Sequence, residues 1–214
     1  MKCRHCIEHK SQNVAGLPAV DPQSTWNRVS NLLNQEIPTN CLEFLNPTES
    51  LHGVVQVLAN TPRQFILPVV FNCHLYGSKS FYDLAARIAD VWLVDLTFGN
   101  DTCAKSISGV TDYIKYAKLG LDAVTGRGAK VIVRMLVLPG HGSCCHGPVV
   151  ELLSEYREEL WVSILDQYVP VHEACRDPKL DRRPEREEIT RLENLVDRYG
   201  LRNIGKGCKE FWTA

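Results

Sequence analysis

Lys130-Val131-Ile132-Val133-Arg134-Met135-Leu136-Val137-Leu138-Pro139-Gly140 contains the longest apolar run of the chain, and its reading decides the fold. The run is far too short to span a bilayer, and Pro139-Gly140 stops it. It reads as a strand. Apolar and polar residues do not alternate along it, as they would in a strand with one wet face. Continuous apolar strands point instead to a parallel sheet buried on both faces beneath helices. One cation, Arg134, interrupts the run.

Shorter runs of the same kind lie on either side, at Cys41–Leu45, Phe65–Phe71, Val91–Val94 and Trp161–Leu165. Between and after them the apolar spacing lengthens to three or four, predicting helices around Val54–Leu58, Phe81–Ile88, Asp112–Val124, Val149–Leu160 and Glu185–Tyr199. A further helix, capped by Ser24 or Thr25 and ending near Pro38, precedes the first strand. Alternating strands and helices imply right-handed βαβ units. Five such units are too few for a closed eight-stranded barrel, so the expectation is an α/β fold with about five parallel strands. It is either a partial (β/α) barrel or a flat doubly wound sheet. In both, the functional face lies beyond the carboxyl ends of the strands. The polar residues that follow the apolar runs collect there: Asn46, Thr48 and Glu49; Asn72 and His74; Asp95 and Thr97; Arg134 and His141; Asp166, Gln167 and Tyr168.

The 214 residues, 44% hydrophobic and 23% charged with a net charge of −1, describe an ordinary globular chain, read as one domain over 1–214. Near-neutrality provides no electrostatic footprint for nucleic acid, and no apolar run suits a membrane. The polar start lacks the apolar core of a secretory signal. The expected location is therefore cytoplasmic, with the nine cysteines reduced and unpaired.

Cys3-Arg4-His5-Cys6 stands out among those cysteines, because a Cys-x2-Cys turn points both sulfurs to one side and suits zinc or an iron–sulfur cluster. His9, three residues on, is a conceivable third ligand for a zinc-binding module. His141-Gly142-Ser143-Cys144-Cys145-His146 is read as a mobile loop with exposed thiols. Adjacent cysteines seldom reach one ion without strain, and no distant pair completes a tetrahedral set. Cys41, Cys73, Cys103, Cys175 and Cys208 are read as small buried or surface residues.

The order of Cys3-x2-Cys6, then Asn46-Pro47-Thr48-Glu49-Ser50-Leu51-His52, Val69-Val70-Phe71-Asn72, Val91-Trp92-Leu93-Val94-Asp95-Leu96-Thr97-Phe98, Val133–Gly140 and Asp166-Gln167-Tyr168-Val169-Pro170 resembles the radical S-adenosylmethionine proteins. Within them it resembles the group similar to pyruvate formate-lyase activating enzyme. The resemblance implies a partial barrel and a [4Fe-4S] cluster on a Cys-x3-Cys-x2-Cys loop. S-adenosyl-L-methionine would occupy the open iron and be cleaved to a 5′-deoxyadenosyl radical, an oxidoreductase-type chemistry. It further implies a partner polypeptide as substrate, and an electron donor such as flavodoxin or ferredoxin. Cys3 and Cys6 match the second and third family cysteines. The first would fall four residues before Cys3, so Met1 is expected to be an internal methionine or the chain to be truncated, with the first family strand missing.

By the same resemblance, His5 takes the place of an aromatic beside the adenine. Asn46, Thr48 and Glu49 stand where a Gly-Gly-Glu segment holds the cofactor's amino group. Asn72 and Asp95 face the cofactor, and Thr97 replaces a family lysine. Arg134 meets the cofactor carboxylate or forms a structural ion pair with Asp95 or Asp166. Gln167 and Tyr168 line the substrate side or form a strand-end network. A degenerate, non-catalytic scaffold of the same fold is the alternative to an enzyme.

Overall fold

A computed structural model of the chain describes residues 2–10, 21–33, 40–62, 65–126 and 128–206. Five strands, β1 (Leu42–Leu45), β2 (Val69–His74), β3 (Val91–Asp95), β4 (Lys130–Leu136) and β5 (Leu160–Leu165), pair in parallel and in sequence order. Among the described residues β1 and β5 do not pair with each other, so the sheet is open. The helices are α1 (Pro22–Leu33), α2 (Leu51–Ala59), α3 (Lys79–Ala85), α4 (Asp101–Ser108), α5 (Tyr113–Thr125), α6 (Gly147–Ser154) and α7 (Arg186–Arg198). A strand order that never reverses, combined with right-handed crossovers, stacks the connecting helices on one side of the sheet. That is the partial-barrel alternative; a doubly wound sheet needs a reversal.

One consequence corrects the expectation of strands buried on both faces. Burial alternates along β3 and β4: Trp92, Val94, Val131, Val133 and Met135 are buried, whereas Leu93, Asp95, Ile132 and Arg134 are half-buried. The first set, with Phe71, Cys73 and Val162, packs beneath the helices in a core that runs from Val54 to Leu201. The second set lies on the opposite, concave face, where it is only half-buried.

Local differences have local causes. β2 begins at Val69 rather than Phe65, because Asp90 Oδ2 accepts from the Val69 amide at 2.8 Å and pins the strand start. The run Phe65-Ile66-Leu67 lies before it, with Ile66 exposed and Phe65 set edge-on to Trp26 at 5.5 Å. Asn72 and His74, expected in a loop, are therefore inside β2. α4 falls in a stretch with no helical expectation. Asn100 caps it by accepting from the Cys103 amide at 2.8 Å, and Gly109, at φ +70°, ends it. α1 starts earlier than Ser24, since Asp21 accepts from the Ser24 amide at 2.8 Å and Pro22 occupies the first turn.

α5 sits close against β2 and α3 because Gly120 has no side chain. A Cβ there would stand 2.7 Å from Tyr82 Oη and 2.8 Å from Leu75 Cδ2, both on fully buried side chains. Gly120→Ala is accordingly expected to destabilise the chain by about 1–3 kcal/mol in urea unfolding, despite alanine's better helix propensity. An unchanged or raised midpoint would show that α5 can move away from the sheet at no cost.

Candidate functional site

The register of the sheet assembles a polar network on its concave face. Asp95 lies opposite Arg134 and His74 opposite Asp95, with Asn72 two residues before His74 on the same face. Arg134 donates through Nε to Asp95 Oδ1 at 2.7 Å and through Nη2 to Asp95 Oδ2 at 2.9 Å and Asn72 Oδ1 at 2.6 Å. Asn72 Nδ2 in turn donates to Glu43 Oε1 at 2.6 Å. His74 Nδ1 stands 3.8 Å from Asp95 Oδ2. Burial pushes the His74 pKa down; the Asp95 charge opposes this and the Arg134 charge adds to it. The ion pair between Arg134 and Asp95, one of the two readings of Arg134, is present.

The cysteine turn lies at the carboxyl-terminal rim, held between connections that follow β3 and β5. Lys2 N donates to Ser108 O at 3.1 Å and Arg4 N to Ile107 O at 2.8 Å, both at the end of α4. On the other side Ala174 N donates to Arg4 O at 2.8 Å, and the Arg4 guanidinium reaches Asp177 Oδ2 at 3.0 Å. The turn closes through Cys6 N to Cys3 O at 3.1 Å. Cys3 Sγ meets Ser108 Oγ at 3.0 Å, and burial pushes its thiol pKa up. His5 is pushed down to about 4 by burial, then by His74 and His141. Its Nδ1 is buried and has no hydrogen-bond partner, and its ring lies 6.0 Å from that of Tyr168.

His9 does not complete a site with this pair. Its Nδ1 is 3.1 Å from the Cys6 carbonyl, and its ring stacks on His172 at 4.6 Å. Among the described residues one set of ligating side chains converges, and neither Cys3, Cys6 nor His9 is in it. The zinc-module reading on those three residues is therefore corrected. Asn46 adopts a left-handed turn at φ 51° and donates its amide to Asn72 O at 2.7 Å. Thr48 and Glu49 follow in a 3-10 turn, Pro47–Glu49, and Gln167 is exposed just after β5. These four lie outside the Arg134 network. Tyr168 is buried and donates to Leu180 O at 2.8 Å, which makes it part of a strand-end network.

The segment expected as a mobile loop with exposed thiols is ordered. Residues Gly142–His146 form a π-helical turn that leads into α6, and Cys145 is fully buried. His146 is buried as well and accepts from Leu138 N at 3.1 Å through Nε2. Burial holds it near pKa 4, so it is a neutral structural histidine. The turn before it is fastened to α7: Glu188 Oε1 accepts from Gly140 N at 2.6 Å, and Glu188 Oε2 accepts from Arg182 Nη1 at 2.7 Å.

This fold is similar to that of a solved radical S-adenosylmethionine enzyme. A radical SAM methyltransferase from Sphaerobacter thermophilus superimposes with a TM-score of 0.64 at 14% identity, covering 94% of this chain and 61% of that one. A domain of pyruvate-formate lyase-activating enzyme from Bacteroides vulgatus matches 87% of this chain and 94% of its own length at 14% identity, with a TM-score of 0.48. In sequence, an uncharacterized protein of Methanocaldococcus jannaschii is 30% identical over 197 residues, or 92% of this chain and 54% of the relative. The chain thus spans about half the length of the curated relative it matches. No family model matches it.

Two outcomes are expected. Arg134→Leu leaves Asp95 half-buried without its counterion, and should cost about 2–4 kcal/mol in urea unfolding. The loss should shrink by about 1–2 kcal/mol in an Asp95→Asn background; equal losses in both would mean that the two groups are uncoupled. Arg182, then the Glu185 and Gly140 amides, hold Glu188 down at about 2, below its ordinary 4.5. Its contribution, about 2 kcal/mol after discounting for solvent screening, is present above pH 4.5 and lost as pH falls towards 2. Glu188→Gln should lower the neutral-pH midpoint and flatten that acid limb, as read by thermal unfolding from pH 7 to 2.

Proposed function

We propose that the chain forms the S-adenosylmethionine-cleaving core of a radical enzyme, in which Cys3 and Cys6 give two thiolates to a [4Fe-4S] cluster. The observation that carries this reading is the docking of the Cys-x2-Cys turn, with its buried and unpartnered His5 Nδ1, at the carboxyl-terminal rim of a radical SAM fold. When bound, the cluster supplies the electron that cleaves the sulfonium to a 5′-deoxyadenosyl radical. The protein's part is to hold and orient. Cys3 must lose its proton to ligate, and the Ser108 hydroxyl at 3.0 Å is placed to donate to the resulting thiolate. The unpartnered His5 nitrogen, in a ring that burial keeps neutral, offers a hydrogen bond to the adenine or ribose. Arg134 can meet a carboxylate only by sharing the charge now given to Asp95, while Asn72 and Asp95 orient it. Asn46, Thr48, Glu49 and Gln167 stand around the rim as contacts for the cofactor's polar end and the substrate. A partner polypeptide as substrate and a flavodoxin or ferredoxin as donor extend the same proposal.

A second reading, a non-catalytic scaffold of the same fold, is favoured by one observation. Among the described residues no third ligating side chain converges on Cys3 and Cys6. The experiment that separates the two is anaerobic reconstitution, with iron and sulfide, of the protein its gene encodes, followed by reduction in the presence of S-adenosylmethionine. The enzyme reading expects 5′-deoxyadenosine, reduced at least about 100-fold in Cys3→Ser and Cys6→Ser. It also expects about tenfold weaker cofactor binding in His5→Ala, the loss of one hydrogen bond. A folded protein that yields no 5′-deoxyadenosine would establish the scaffold instead.

A further inference from the structure

Away from the Cys3-x2-Cys6 turn, four side chains from two rim connections point at one centre. Cys103 comes from the first turn of α4; Cys144 and Cys145 come from the π-helical turn after β4, and His141 from the residue that precedes it. Their ligand atoms all lie within 4.8 Å of one another. Sγ of Cys103 is 3.8 Å from Sγ of Cys144, which is 4.0 Å from Sγ of Cys145. His141 Nδ1 stands 3.8, 3.3 and 3.8 Å from the sulfurs of Cys103, Cys144 and Cys145. A tetrahedral zinc ion with Zn–S bonds of about 2.3 Å and Zn–N of about 2.0 Å requires S···S edges of about 3.8 Å and S···N edges of about 3.5 Å. Five of the six edges lie within about 0.3 Å of these values, and the sixth, Cys103 Sγ to Cys145 Sγ, is no longer than 4.8 Å. They do not match a cubane cluster, in which each thiolate sits on a different iron and the sulfurs spread further apart. Four protein ligands would also leave no open iron for a cofactor.

We infer that Cys103, His141, Cys144 and Cys145 form a closed, four-coordinate zinc site that ties the connection after β3 to the connection after β4.

The surroundings are those of a built site. Asn100 donates through Nδ2 to Cys103 Sγ at 3.3 Å and to Cys144 O at 2.6 Å, so one amide both supports a thiolate and fixes the turn that carries another. Gly99 lets the two connections touch: a Cβ there would lie 2.5 Å from Cys145 O and 2.9 Å from Pro148 Cβ. The second fastening, from Gly140 N to Glu188, holds the residue before His141. Zinc binding displaces the three thiol protons to solvent and leaves one dication on three thiolates and one neutral imidazole. A full shell with no exchangeable position makes the site structural.

The test is metal analysis of the protein purified under reducing conditions. About one zinc per chain is expected, retained in Cys3→Ser/Cys6→Ser and in the exposed-cysteine controls Cys41→Ser and Cys175→Ser. Zinc should fall at least tenfold in Cys103→Ser and in Cys144→Ser. Should those variants fail to fold, cobalt(II) titration of metal-free wild-type chain serves instead. One equivalent should give the intense visible bands of tetrahedral cobalt with thiolate charge transfer. Folded chain without zinc, iron in its place, a Cys103–Cys144 disulfide, zinc lost with Cys3 and Cys6, or an octahedral cobalt spectrum would each overturn the site. None of these readouts depends on S-adenosylmethionine cleavage.

Discussion

A guanidinium on the concave face of a parallel sheet is the constraint around which the rim is arranged. Arg134 is embedded in the most apolar strand, where an uncompensated charge would be costly. Parallel register solves the problem by setting Asp95 directly beside it and Asn72 one strand further on. The guanidinium then meets a carboxylate in two-pronged fashion and an amide oxygen at once, and Asn72 passes the network on to Glu43 in β1. Four adjacent strands are thereby cross-linked through side chains at their carboxyl ends, in addition to their backbone ladders. A slip of one residue in any of them would turn a charged or amide group into the apolar face beneath the helices. The network thus specifies register as well as polarity.

Above that floor, the functional rim is made of connections. The Cys3–Cys6 turn contains no helix or strand of its own, and backbone hydrogen bonds to α4 and to the segment after β5 fix its position. α4 in turn is fixed by its Asn100 cap and by the close approach at Gly99. Rigidity at the rim therefore travels from the sheet through short, well-capped elements. The scaffold positions, and the loops carry the chemistry.

Much of this was legible in the sequence, and the misses have identifiable causes. Continuous apolar runs separated by helical spacing give five parallel strands, because that pattern is what a helix-covered sheet demands. Leu93 and Ile132 are as apolar as Val94 and Val133, so periodicity does not tell the face beneath the helices from the concave one. Asn72 and His74 are polar residues after an apolar run, a pattern that reads as the end of a strand although both lie inside β2. Their partners, Glu43 and Asp95, are remote in sequence and only register brings them near. No apolar period marks α4, because its eight residues are mostly polar and an asparagine cap and a glycine stop define it. Those two signals, Asn100 and Gly109, were available in the sequence.

Cys103 illustrates the same limit for the metal site. In sequence it is a lone thiol far from Cys144 and Cys145, and adjacent cysteines alone make a poor ligand pair. Two structural facts change that judgement. A π-helical turn winds its residues differently from an α-helix, and such turns often mark functional positions. Here it leaves the sulfurs of Cys144 and Cys145 at 4.0 Å, close to a tetrahedral edge. The cap on α4 then turns Cys103 into the space above them, since the side chain of Asn100 serves both the Cys103 amide and the Cys144 carbonyl. The two cysteine groups of the rim are consequently suited to different tasks. Beside Cys3 and Cys6 the His5 Nδ1 is buried without a hydrogen-bond partner, an unused capacity on which the proposed cofactor binding would draw. The Cys103 group has every coordination position filled by the chain itself, which is the condition for holding two connections still.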